Sequence, residues 1–336
     1  MKNTLRRIAA PAALLVCVAG IAACGADVPA SPTSPATPTV EVAAPASTTT
    51  ANAGFTVQKL CDLADARIDE SSGLAASRRY PGLLWTHNDS GDAARLFLVN
   101  QTGATLAEVE LRGAGALDWE DMAAAGVGED GWIYVADVGD NLEARPAVAI
   151  YRFREPEIDT KSTTEKQNGA APKIVVDCEQ MTIYYPDGPH NVETLLATSD
   201  GLLLIVTKNK GESLLFSTPD VWKKGARFKM KPLGAYSFPG PGLFERLTTG
   251  GDLSPDGTRL VIRTYTHAYE WNLTTPNALE DGWWNRAPRA MLLPQTQQGE
   301  AICYALDGKS LFLTSEKTPT PLLQLTASDV SPLQSP

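Results

Sequence analysis

The chain predicts an all-β fold, a single β-propeller of five blades, and three observations carry that reading. A unit recurs five times, at intervals of roughly 50 to 70 residues, which is the size of propeller blades or repeat arrays. Each unit holds an Asp-Gly or Pro-Gly turn between short apolar runs, the strongest local signal for a hairpin. The last unit lacks a strand that residues 55–63 can supply, which closes the ring and leaves no sheet edge bare.

In order, Ser72-Gly-Leu-Ala precedes Pro81-Gly82 and the run from Leu83. Glu120-Asp-Met-Ala precedes Asp130-Gly131 and the run from Trp132. Glu193-Thr-Leu-Leu precedes Asp200-Gly201, Gly251-Asp-Leu-Ser precedes Asp256-Gly257, and Glu300-Ala-Ile-Cys precedes Asp307-Gly308. A β-sandwich would explain the hairpins but not five copies in phase. Six blades would result if residues 174–185 began a blade of their own.

Before the repeats, residues 1–23 read as an export signal, with Lys2, Arg6 and Arg7 ahead of an apolar core too short to span a bilayer. Ile21-Ala-Ala-Cys24 resembles the bacterial lipobox, so Cys24 is the expected lipidation site. Residues 24–54 are rich in Pro, Ala, Ser and Thr and read as a tether, because they offer too little apolar surface to offset ordering. Residues 55–336 are the propeller. The expected location is extracytoplasmic, with the domain held at the cell membrane by its lipid and otherwise monomeric.

The net charge of −10 becomes −13 without the signal, since three basic residues and no acidic ones leave with it. That balance argues against nucleic acid as a partner. Cys61, Cys178 and Cys303 remain; they form one disulfide with a spare thiol, or serve as three small buried residues. Residues 155–173 are polar and read as a surface excursion. Residues 174–185 alternate and suit outer blade strands, and residues 273–288 with Trp283-Trp284 read as an outer strand or lid.

The usual catalytic signatures are missing: no G-x-S-x-G, S-x-x-K, H-E-x-x-H or C-x-x-C occurs. Gly126-Val-Gly128-Glu-Asp-Gly131 matches a dinucleotide fingerprint by letter, but a strand follows it and two acids would repel a pyrophosphate, so it is a hairpin turn. His87, His190 and His267 fall near repeat boundaries, and His87 and His190 are the candidates for acid-base work, with the alternative that they bond loop backbone. Arg263 ends an apolar strand and needs a carboxylate or an anionic ligand.

The acidic residues are the stronger lead. Glu120, Glu193 and Glu300 take the same place in three copies, where an inner strand begins at the channel mouth. Asp89, Asp137, Asp140, Asn141 and Glu316 recur after the second strand as loop ligand candidates. Three carboxylates within about 8 Å repel by about 2 kcal/mol per pair at an effective dielectric near 20. Protonation, pairing with a base such as Arg263, or a hard cation can compensate. Calcium suits a set of Asp, Glu and Asn.

Asn88-Asp-Ser-Gly, Asp118-Trp-Glu-Asp, Asp137-Val-Gly-Asp-Asn, Tyr185-Pro-Asp-Gly-Pro, Arg263-Thr-Tyr, Gln298-Gly-Glu-Ala and Thr314-Ser-Glu together resemble a family of secreted bacterial propeller lipoproteins. The resemblance implies fold and export, and no reaction. More distantly, the arrangement is similar to calcium-centred propellers such as phytases, lactonases and apyrases. Two functions follow as expectations: a module that binds a small ligand or an envelope protein, or a calcium-dependent hydrolase of a phosphate ester or lactone.

Overall fold

The structure is a computed structural model that describes residues 49–52, 54–160 and 171–327. The export signal, Cys24 and most of the tether lie outside the described residues. Five sheets are arranged as the blades of a propeller, and Gly128–Asp130 and Trp283–Asn285 are short 3-10 turns between strands.

The inner strands are Ser71–Ala76, Trp119–Ala125, Val192–Ala197, Thr248–Leu253 and Ile302–Tyr304. Every residue in them is buried, so both faces are packed, unlike the half-exposed alternation of the outer strands. Each turns back on a second strand, in blade two through the 3-10 turn Gly128–Asp130 with Gly131 at φ −66°. The turn glycines Gly82, Gly201, Gly257 and Gly308 have φ of 85°, 90°, 69° and 68°, a conformation other residues rarely hold.

The ring closes as expected. Phe55–Asp62 pairs antiparallel with Pro321–Ala327, from Phe55↔Ala327 to Asp62↔Pro321, as the fourth strand of blade five. Thr49–Asn52, within the stretch read as tether, adds a fifth strand outside it. The core confirms the closure, because the apolar residues form five clusters and each lies between two neighbouring blades. The cluster of Leu74, Leu84, Phe97, Ala301, Cys303 and Phe312 joins blade five to blade one. No blade has a core of its own, so each is stable only in the ring.

Four sequence expectations need correction. Residues 174–185 do not begin a sixth blade: Lys173–Asp177 runs parallel to Thr105–Arg112 as an added edge of blade one, while Glu179–Tyr184 is the fourth strand of blade two. Arg227–Lys229 edges blade two in the same way. Ion pairs fasten the first of these edges, Arg112 to Asp177 at 2.8 Å and Lys173 to Glu110 at 2.7 Å. The polar excursion does not start at Glu155. That carboxylate is buried and accepts from the backbone N–H of Arg78 and Arg79, the Ser77 hydroxyl and the Trp85 indole.

The stretch with Trp283-Trp284 is not the outer strand of blade four, which is Arg289–Leu292. Trp283 is fully buried against Trp271, 4.9 Å between ring centroids. Finally, the fourth repeat is shifted. Pairing places Thr249, not Gly251, opposite the glutamate position of the other blades. Cys61, Cys178 and Cys303 are all free thiols.

Candidate metal centre at the channel mouth

The first four inner strands each open with a bulge, where pairing skips Ser72, Glu120, Glu193 and Thr249. Glu300 stands at the matching place in blade five, just before Ala301, whose carbonyl accepts from the Thr314 N–H. A bulge frees one side chain from the alternation of the strand and re-aims it. Two of these residues tie neighbouring blades: the Ser72 hydroxyl donates to the Glu120 carbonyl at 2.6 Å and the Thr249 hydroxyl to the Glu300 carbonyl at 2.9 Å. One layer deeper, Asp121 accepts from the N–H groups of Met122, Leu195 and Gly251, which lie on three different inner strands.

A second set of residues follows the ends of the second strands. The N–H groups of Asp89, Gly139, Lys208 and Glu316 donate to the carbonyls of Glu70, Asp118, Asn191 and Gln298, each two residues before a bulge position. Tyr265 occupies the corresponding place in blade four, directly after Thr264. In blade two the position is a glycine, and its missing side chain leaves space for two carboxylates. A β carbon on Gly139 would collide with the Glu120 Oε1 and the Asp118 carboxyl.

Those two carboxylates meet a third. Oxygens of Asp89, Asp118 and Glu120 all lie within 4.8 Å of one another, the one such group of three found among the described residues. At 4.8 Å and an effective dielectric near 20, ionised carboxylates repel by roughly 3.5 kcal/mol per pair, roughly 10 for the three. That equals the net stability of an ordinary domain. The bases of the mouth are paired elsewhere and act on Asp89 and Asp118 only through space: Lys208 pairs with Glu193 at 3.0 Å, Lys317 with Glu316 at 3.3 Å and Arg145 with Asp137 at 2.7 Å. No ion pair reaches Asp89, Asp118 or Glu120 among the described residues.

The acids respond to desolvation and to one another, Asp89 and Asp118 being half-buried and Glu120 buried. Burial, then the charge of Asp89, pushes Asp118 up to about 6. Burial, then the charges of Glu193 and Asp89, holds Glu120 well above the carboxylate range. Burial raises Glu300 and Glu316 to about 7 each, with Glu193 adding to the first and Glu300 to the second. Glu300 also has a buried oxygen, Oε2, with no hydrogen-bond partner. Hard oxygen donors held close, under-neutralised and partly orphaned are the donor set that calcium takes.

The expected site residues divide. Glu120, Glu193, Glu300, Asp89 and Glu316 share the mouth, but the tight group contains Glu120 with Asp89 and Asp118 rather than with Glu193 and Glu300. Asp137 and Asp140 are second-line supports: Asp137 accepts from the Leu117 and Asp118 N–H groups, and Asp140 from the Arg145 N–H. Asn141 accepts from the Asn191 amide, which also donates to Glu193. Arg263 is buried, donates to the carbonyls of Ala301 and Thr314, and is held down to about 10 by burial.

His87 has no exposure at all. It sits in the space left by Gly73, edge-on to Trp119, and burial keeps it neutral, down to about 4. His190 bonds Asp187 at 3.0 Å and packs on Tyr185 and Phe216. Lys208 and Tyr265 are not among the sequence candidates, and Asp118 appears there only in the Asp118-Trp-Glu-Asp motif, not as a ligand. The register finds the first two, since they follow second strands as Asp89 and Glu316 do.

No protein-family model and no curated protein matches the chain. Solved structures resemble it in fold: a gluconolactonase from Xanthomonas campestris at 14% identity, covering 82% of this chain and 90% of that one, TM-score 0.45. The WD40 domain of Neurospora crassa Pan2 follows at 9% identity, 82% and 96% coverage, TM-score 0.38, and the Myceliophteria thermophila Swd1 propeller at 10%, 80% and 99%, TM-score 0.41. At such identities the likeness is one of fold alone, a β-propeller.

Proposed function

We propose that this chain is an exported propeller, anchored to the cell membrane by a lipid on Cys24, that binds a small ligand at its channel mouth through a calcium ion. Asp89, Asp118 and Glu120 hold the ion, with Glu193 hydrogen-bonded to Glu120 beside them. The observation that carries the reading is the group of three carboxylates within 4.8 Å, to which no base is paired. An open coordination position on the ion is where an oxygen of the ligand enters.

Titrating calcium chloride into EDTA-stripped protein in a calorimeter tests this. One ion per chain should bind, and Asp118→Asn should weaken it at least tenfold. An absence of binding at millimolar calcium overturns the reading. Lipid anchoring is tested apart from it, by fractionating cells that carry wild type or Cys24→Ala; the wild type should sediment with membranes and the variant should not.

A second reading, a calcium-dependent hydrolase of a phosphate ester or lactone, is favoured by Glu300. A carboxyl held near 7 can gain or lose a proton at neutral pH, as general catalysis requires. Turnover of simple lactones and phosphomonoesters, lost in Glu300→Gln, separates it from binding alone.

A further inference from the structure

We propose that the outer rim of blade two is a docking surface for anionic phospholipid, a belt of exposed cations through which this acidic chain rests on a bilayer. The surface is separate from the cation at the mouth. It draws on the lipid-anchor reading only for what brings a membrane near: residues 25–48 span at most about 90 Å between Cys24 and Thr49.

The belt begins in the sequence. Acids outnumber bases by 39 to 29 over the chain, yet none falls between Asp220 and Glu245, a stretch that holds Lys223, Lys224, Arg227, Lys229 and Lys231. Arg227–Lys229 is the added edge of blade two, so its two cations share one face about 7 Å apart, and half-buried Phe228 takes the other face. Ring contacts carry the belt across the blade. Arg152 lies over Trp222 at 4.7 Å and over Trp132 at 3.9 Å, and Arg154 lies over Trp132 at 3.9 Å. Lys223 and Lys224 directly follow Trp222.

Blade one provides the comparison. Charge on an edge strand can serve only to keep other strands away, and Lys173–Asp177 does this with its charges matched, Lys173 to Glu110 and Asp177 to Arg112. In blade two Arg152 pairs with Glu179 and Lys223 with Asp220, but no ion pair reaches Arg154, Lys224, Arg227 or Lys229 among the described residues. All four are exposed.

The arrangement selects the partner. Cations set side by side along a rim meet an array of phosphates, whereas one small anion is held where donors converge. Single-stranded nucleic acid stacks its bases on bare rings, and here guanidinium groups cover Trp132 and Trp222, the second of which is itself buried. Each cation near an anionic bilayer adds about fivefold to affinity, and the acidic remainder of the chain is repelled, so the contact also fixes orientation.

The test uses the exported chain, residues 24–336 with Cys24→Ala, sedimented with vesicles in EDTA so that neither an acyl chain nor calcium contributes. At 25 mM NaCl it should bind vesicles of equal phosphatidylglycerol and phosphatidylcholine at least tenfold better than phosphatidylcholine alone, and 300 mM NaCl should remove most of that binding. Lys224→Gln/Arg227→Gln/Lys229→Gln should weaken it tenfold or more with an unchanged circular dichroism spectrum, while Lys173→Gln/Lys231→Gln, which neutralises paired cations, should leave it within twofold. Equal binding to both vesicles, a triple variant that binds like the parent, or oligo(dT) or polyglutamate that binds as tightly as the anionic vesicles would each overturn the inference. Loss of the anchor is read separately, from the cell fractionation of wild type against Cys24→Ala, so vesicle binding without membrane sedimentation of wild type counts against the anchor and not against this surface.

Discussion

Lys208 reaches Glu193 at 3.0 Å, and Glu193 is in turn hydrogen-bonded to Glu120, so the ion pair borders the group of three carboxylates. On the Lys208 side, Glu193 and Glu300 feel a fixed ammonium whose own proton is held firmly by their charges. Beyond Glu193, Asp89, Asp118 and Glu120 crowd together, and no ion pair reaches them among the described residues. Lys208 pairs with Glu193, while Asp89, Asp118 and Glu120 are the group to which we assign an ion.

Gly139→Ala should separate the site from the fold. A methyl group there displaces the carboxylates of Glu120 and Asp118, while the inner strands and the interblade cores are untouched. Calcium affinity should fall tenfold or more, with the circular dichroism spectrum unchanged. Unaltered affinity would show that the ion, if any, sits elsewhere.

The ring closure makes a stability prediction. Val57 is buried in the cluster between blades four and five and pairs with Leu325. Val57→Ala should cost about 2 kcal/mol in urea unfolding, and Val57→Asp more. Deleting residues 55–62 should abolish cooperative unfolding. A truncated chain that still unfolds in one sharp transition would contradict closure by this strand.

Arg263 is a positioning residue for the mouth. Replacing it by Met takes the guanidinium donor from the carbonyls of Ala301 and Thr314, leaving the first with the Thr314 N–H, and removes a buried cation that acts on Glu300. The expected loss is about 3 to 5 kcal/mol, the usual result of breaking a buried charged network on one side. A loss under about 1 kcal/mol would mean that water takes over its role.

The pH dependence has a definite sign. Asp118, raised from 3.8 to about 6, and Glu300 and Glu316, raised from 4.5 to about 7, keep protons in the folded state that the unfolded chain has released. The folded state therefore binds more protons between about pH 4 and 7, and without calcium its stability falls as pH rises through that window. Calcium needs the ionised forms, so the stabilisation it gives should grow over the same range. Thermal midpoints in EDTA and in calcium across that range check both slopes, and parallel curves would contradict the account.

Much of this was legible in the sequence because turns and buried strands are local. Asp-Gly and Pro-Gly marked all five inner hairpins, and the unpaired final blade pointed to residues 55–63. The parallel edges were not legible: Lys173–Asp177 alternates like any outer strand, and nothing in it says that its partner is Thr105–Arg112. The fourth repeat misled because Gly250 and Gly251 have no side chains to set the register, and the glutamate position there is Thr249. The recurrent glutamates did lead to the mouth, but which carboxylates meet was decided by Gly139. Its effect depends on what a neighbouring strand leaves empty, and spacing along the chain does not encode that.

The central claim is that calcium, held by Asp89, Asp118 and Glu120, relieves the charge at the mouth, and thermal unfolding in EDTA and in calcium tests it most directly. At a concentration near 100 times its Kd, calcium should stabilise wild type by about 2.7 kcal/mol, raising the midpoint by roughly 5 °C or more. Glu120→Gln removes the cost of ionising or protonating that carboxyl, so it should unfold at a higher temperature than wild type in EDTA and gain little from calcium. A wild-type midpoint that calcium does not move, together with a Glu120→Gln midpoint no higher than wild type in EDTA, would contradict the account.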